Sequence, residues 1–179
     1  MIRSAINQRG NFTIEFALVG VIFSLLLVFS GDVIIKLSVK GKLDRLSFSL
    51  VNVLKERTQL FDEDYQITSS EAKSINEIAR NSLRRTLMTY DNERFGVLVE
   101  ELTFSDIDTP NILKSFSFEG GCVVAKTLAE LDHLSVITSW DRQASLYRVT
   151  VCYETDNWSG ELLGEEFTTV SSSSVIIGR

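Results

Sequence analysis

Apolar positions follow different periods in different parts of the chain. From Phe16 to Gly31 the sequence reads FALVGVIFSLLLVFSG, sixteen residues that are apolar all round and carry no charge. Counted from Phe12, and tolerating Glu15, the run is roughly 20 residues, the length of a helix that crosses a bilayer core. Beyond it, Leu43, Leu46, Leu50 and Leu54 recur at three- and four-residue steps, with Lys42, Arg45 and Lys55 falling elsewhere. That spacing predicts an amphipathic continuation of the same helix to about Leu60. An unbroken helix would be roughly 70 Å long; two helices hinged at Gly31-Asp32 or at Gly41 fit the same pattern.

Phe61 to Gln66 is polar and acidic and reads as a solvated turn, without the ligand spacing of a calcium loop. Thr68-Ser69-Ser70-Glu71 is a capping box, and it opens a second helix. Ile75, Ile78, Ala79, Leu83 and Leu87 form its apolar stripe, and Lys73, Glu77, Arg80 and Arg84 its other face. After Tyr90 the period shortens. Phe95–Phe104, Ser115–Phe118, Cys122–Ala125 and Phe167–Ile177 read as strands, and Asp106–Asn111, with Pro110, as a turn. Ser145–Glu154 alternates, with Leu146, Arg148, Thr150 and Cys152 on one side and Tyr147, Val149, Val151 and Tyr153 on the other. Asp156–Gly164 connects the last two strands, and Trp140 and Trp158 are expected to be buried or half-buried, with exposed partner contacts as the alternative. Helices first and strands after predict an α+β fold: a long N-terminal helix, a second amphipathic helix, then a C-terminal antiparallel sheet. The expected division is 1–10, a leader; 11–35, a membrane-spanning and assembly helix; 36–90, the helical part of the ectodomain; and 91–179, its β-rich part.

Charge and composition narrow the functional classes. The chain has 179 residues and a net charge of −6, a poor basis for gripping phosphates, so no nucleic-acid partner is expected. A single histidine, His133, rules out a His-based metal cluster, and no GxSxG elbow or nucleotide-binding glycine pattern occurs. No catalytic residue, metal, cofactor or small-molecule substrate is expected. Cys122 and Cys152 are candidates for a disulfide closing a loop of roughly 31 residues; two buried thiols are the alternative.

The unusual residue is Glu15, an acid at the start of a membrane-grade helix. A secretory signal cleaved after Val28-Phe29-Ser30 leaves it unexplained, and an uncleaved single-pass anchor tolerates it only as an interfacial residue. A third reading gives it work. Met1–Gly10 is short, carries Arg3 and Arg9 and no acid, and ends in a glycine that offers a protease no obstruction. Cleavage between Gly10 and Asn11 would make Glu15 the fifth residue of the mature chain. A carboxylate in lipid costs about 2.5–3.5 kcal/mol at the bilayer centre and less at the edge. In a bundle of such helices it can meet the new α-amine of a neighbour, fixing register as well as charge.

Gly10, Glu15 and Phe16 before an apolar helix resemble the processing site of pilin-like proteins of the tight-adherence (Tad, or Flp-type) system. Tyr147–Tyr153, Asp156-Asn157-Trp158 and the ending Ser174–Arg179 resemble the TadF branch of the TadE/TadF group. Phe16 stands where the major pilins usually carry Tyr. The resemblance implies cleavage by a prepilin peptidase and a non-enzymatic role as a minor pilin or pseudopilin in pilus assembly. Implied partners are the membrane, that peptidase, a TadE-like protein, the major pilin and the assembly platform. The implied location is the bacterial inner membrane, single-pass, with the N-terminus cytoplasmic, the C-terminal domain periplasmic, and incorporation in the surface pilus. Lys36, Lys40, Lys42 and Arg45 outnumber Arg3 and Arg9 and pull the other way, but long domains cross largely regardless of charge. A membrane-tethered binding or sensory domain with an intact anchor is the competing function.

Overall fold

The computed structural model of the chain describes residues 11–60, 66–164, 166 and 168–178. Helix α1 spans Asn11–Leu60, fifty residues and about 75 Å. It runs through Gly31 and Gly41 without a break, so the continuous helix holds and the hinged alternative does not. At both glycines a methyl group would meet nothing, and neither marks a crossing or a turn.

Helix α2 spans Ser69–Thr86. Its capping box is formed: the Glu71 amide donates to Thr68 Oγ1, and the Thr68 amide donates to Glu71 Oε2 at 2.7 Å. At its far end the Lys42 ammonium of α1 donates to the Thr86 carbonyl at 2.9 Å, so one helix caps the other. The buried stripe of α2 is Ala72, Ile75, Asn76, Ala79 and Leu83; Ile78, assigned to it from the sequence, is exposed.

Four strands follow: β1 (Phe95–Asp106), β2 (Thr109–Glu119), β3 (Leu146–Glu154) and β4 (Thr169–Ile177). All pairs are antiparallel, in the order β2-β1-β3-β4. The α+β architecture is therefore as expected, with local corrections. Only Ile107 and Asp108 make the turn; Thr109 and Pro110 already belong to β2. Proline is tolerated there because β2 is an edge strand, where a missing N–H is harmless. Cys122–Ala125 is not a strand. The connection after β3 contains a short helix, α3 (Trp158–Leu163). A 3₁₀ helix at Leu128–Leu134 had no counterpart in the hydrophobic pattern. Trp140 is 76% exposed and Trp158 53%, because both sit on connections at the ends of the sheet rather than on its faces. The acidic turn at 61–65 and Phe167 lie outside the described residues.

The sheet is covered on both faces. On one, Leu43, Leu50 and Leu54 of α1 and Ala79 and Leu83 of α2 pack on Val97 and Val99 of β1 and Tyr147, Val149 and Val151 of β3. On the other, residues 120–145 cross the sheet, and Leu128 buries itself against Leu102 and Leu146. This covering segment explains why β3 is buried on both sides of its alternation. Cys122 is joined to Cys152 of β3 by a disulfide, which ties the start of the crossing to the central strand. Gly96 of β1 lies beneath it. A side chain there would meet Cys152 Sγ at 2.9 Å and the Gly121 carbonyl at 3.1 Å, so glycine is what lets the crossing lie flat.

The serine-rich stretch of β4 is a polar seam against α1. Ser47 Oγ lies 3.1 Å from Ser172 Oγ and 2.9 Å from Ser174 Oγ. Ser172 Oγ donates to Asp44 Oδ1 at 2.6 Å, and Lys40 Nζ reaches the same carboxylate at 2.8 Å and the Ser171 carbonyl at 2.8 Å. The bonds from Lys40 and Ser172 hold the Asp44 carboxyl below the ordinary aspartate range against the opposing effect of partial burial.

Candidate functional site: the exposed end of the long helix

The apolar run at the start of α1 is uncovered by the rest of the domain. Every large apolar side chain from Phe12 to Phe29 is exposed. A soluble protein does not present such a surface to water, and the segment is long and apolar enough to cross a membrane. Between Phe12 and Gly31 the polar side chains are Thr13, Glu15, Ser24 and Ser30. Both serines turn inward to the helix backbone, Ser24 Oγ donating to the Val21 carbonyl at 2.8 Å and Ser30 Oγ to the Leu26 carbonyl at 2.7 Å. Hydroxyls satisfied in this way can enter lipid without stranding a donor.

Glu15 is exposed in the first turns of α1, and Phe16 beside it stacks on Phe12 with ring centroids 6.4 Å apart. The i,i+4 spacing puts both rings on one face of the helix. Asn11 is the first helical residue, and Gly10 lies outside the described residues. Glu15 and Phe16 are thus together at one end of the molecule. The Cys122–Cys152 bridge lies elsewhere, between the crossing and β3.

The upper limit of the bare segment is set by Asp32, which is only 3% exposed although it follows the apolar run directly. Its carboxylate accepts from the Lys36 ammonium at 2.7 Å, from the Ser159 amide at 3.3 Å and from the Ser159 hydroxyl. Lys36 is one helical turn along and Ser159 is in α3, so Asp32 fastens α3 to the helix where the domain begins. The sequence placed an acid here but gave no hint of Ser159, because the two are 127 residues apart.

A second buried charge cluster lies under the covering segment. Arg148 Nε donates to Glu100 Oε2 at 2.5 Å, and Arg148 Nη1 donates to the Lys126 carbonyl at 2.7 Å. Both side chains are 4% exposed. On the helical face of β1, Glu101 accepts from the Ile67 amide at 2.7 Å and ties the entry of α2 to the sheet. These contacts are structural. Tyr90 is pushed up to about 12 by burial and by the nearby Glu119 carboxylate, which keeps its hydroxyl neutral beside Phe95 and Tyr153. His133 is exposed, with Nδ1 3.9 Å from Asp132. Among the described residues no group of three or more His, Cys, Asp or Glu side chains could hold a metal ion.

The model of one protein family, described as "TadF: Putative tight adherence pilin protein F", matches residues 4–179. No curated protein and no solved structure matches the chain.

Proposed function

The chain belongs to the TadF family of tight adherence pilin proteins, and on that premise we propose that it is the precursor of a minor pilin or pseudopilin of a Tad pilus. A prepilin peptidase removes Met1–Gly10. The mature protein stands in the inner membrane with its domain in the periplasm, and its helix passes from lipid into a bundle with other subunits, a TadE-like protein and the major pilin among them. The observation that carries this reading is the helix from Phe12 to Phe29, whose large apolar side chains are all exposed. In lipid that surface is satisfied by acyl chains, and in a fibre by the same helix of its neighbours. The protein acts by assembly and has no catalytic part.

The periplasmic location is supported by the disulfide, which persists in oxidising compartments. Three of the four basic residues that follow the apolar run have folding roles that account for them without reference to topology. Lys36 binds Asp32, Lys40 binds Asp44 and the Ser171 carbonyl, and Lys42 caps α2.

Mass spectrometry of the protein from its own host tests the reading. An N-terminus at Asn11 is expected, and Gly10→Leu should leave the precursor unprocessed. An N-terminus at Met1 in the wild-type chain would favour a tethered binding domain with an intact anchor. Glu15→Ala should permit insertion and cleavage but sharply reduce the pilus that can be sheared from cells, because the neighbour's amine loses its counter-charge. Undiminished pili would remove the pairing role from Glu15.

A further inference from the structure

We propose that α3 is the foot on which the domain rests at the membrane surface, and that Trp158 is an interfacial anchor whose partner is the headgroup layer of the bilayer. The proposal rests on the membrane-spanning reading of α1 and adds to it a second contact with lipid.

The contacts along α1 give the domain a direction. Asp32 meets Ser159 of α3, Lys40 meets Ser171 of β4, Lys42 meets Thr86 of α2, and Ser47 meets Ser174 of β4. At about 1.5 Å per residue, Lys40 lies roughly 12 Å and Ser47 roughly 22 Å beyond Asp32 along the helix axis. Helix α3 is therefore the element gripped nearest the bare segment, which ends at Gly31. A bilayer whose hydrocarbon core takes up the apolar run places Asp32 and Ser159 at the headgroup level, with Trp158 next in the chain to Ser159.

Three properties of α3 suit that depth. Trp158 is more than half exposed, whereas Tyr153 at the nearby end of β3 is buried, so intramolecular packing does not account for the ring. Indole prefers the bilayer interface, where its body is apolar and its N–H finds water or a phosphate ester. The Asp32 carboxylate holds α3 through both the amide and the hydroxyl of Ser159, so the ring is carried on a fixed support rather than on a free loop. The cleft beside Trp158, about 620 Å³, includes Glu154, Asp156 and Glu161, with Arg94 bonded to Asp156 at 2.6 Å. An acidic cleft gives anionic lipid no advantage, so the contact is the ring's own and needs no particular headgroup charge.

The chain contains its own control. Its two tryptophans lie at opposite ends of the domain. Trp140 shares a cleft with Gln66, Asp106 and Ser145, which is the end of the sheet away from α3. The full chain is reconstituted in phosphatidylcholine vesicles, with or without bromine near the headgroup end of the acyl chains, which quenches nearby indole emission. In the Trp140→Phe variant the remaining Trp158 should emit at shorter wavelength than in water and lose most of its emission to the brominated lipid. In the Trp158→Phe variant the remaining Trp140 should lose none. A Phe23→Trp change in a chain lacking both native tryptophans, read in vesicles brominated near the ends of the acyl chains, reports the span itself. Quenching at position 23 with none at Trp158 would overturn the proposal and leave the span standing. No quenching at position 23 would remove the span and this inference together. Equal quenching at Trp158 and Trp140 would show a domain lying flat on the membrane, which also overturns it.

Discussion

Arg148→Ala is expected to lose about 3–5 kcal/mol of folding stability, a large part of the roughly 5–15 kcal/mol that holds a domain together. The loss comes mainly from what remains. Glu100 would stay under the covering segment with its charge and without its guanidinium, and the Lys126 carbonyl would lose its donor. The intact pair is not itself a large source of stability, since taking two charges out of water offsets most of their attraction. The double variant Glu100→Leu, Arg148→Met should therefore recover most of the loss. Guanidinium unfolding of the detergent-solubilised chain and its variants measures both. If the single and the double variant unfold at the same midpoint, the penalty belongs to lost packing around Arg148 and not to a stranded carboxylate. The same comparison reads the role of the Lys126 carbonyl, through which Arg148 fastens the middle of residues 120–145 to the sheet beneath.

The parts of this fold that were legible in the sequence are those in which one strong period governs a long segment. Leu43, Leu46, Leu50 and Leu54 mark the buried stripe of α1 because a helix packed on a sheet has one apolar face and nothing competes with that demand. The Thr68–Glu71 box marks the start of α2 because its bonds are local. Legibility fails where burial is made by a crossing rather than by a strand. Cys122-Val123-Val124-Ala125 has the composition of a strand, yet Val123 is 92% exposed. The run passes over the face of the sheet, tied by the disulfide and not by a ladder of backbone bonds. The alternation put Arg148 on one side of its strand with Leu146, Thr150 and Cys152 and did not say what that side meets. The covering segment turned that face into an interior, and the two charges are adjacent because Glu100 stands opposite Arg148 in the register of β1 and β3. Of the candidate site, Glu15 and Phe16 stood out because an acid at the edge of an apolar run is costly. The Asp32–Ser159 contact depends on how β3 and α3 return to the helix just beyond its apolar run, and no local pattern encodes that return.

The covering segment also determines what reduction does. Cutting the Cys122–Cys152 bridge, by reductant or by the double change Cys122→Ser, Cys152→Ser, should lower stability by about 3.5 kcal/mol, the chain-entropy value for a loop of roughly 31 residues. The response should be uneven. Leu128 of the crossing packs on Leu102 and Leu146 of the sheet, beside the part that the bridge holds down, whereas the α1–α2 face packs without it. Amide exchange should therefore quicken first in residues 120–145 and along β1 and β3, and least in α2. Uniform quickening would mean that the sheet depends on its cover for its whole cohesion. An unchanged unfolding midpoint would mean that Leu128 and the Arg148–Lys126 bond hold the crossing unaided. The redox state in the host carries the further consequence. A bridge this costly to lose is of use only where thiols are kept oxidised, so a mature protein isolated with both thiols free would put the domain on the cytoplasmic side. The helix would then enter the membrane with its Glu15 end on the periplasmic side, away from any peptidase that works from the cytoplasm, and the proposed processing after Gly10 would fall with the topology.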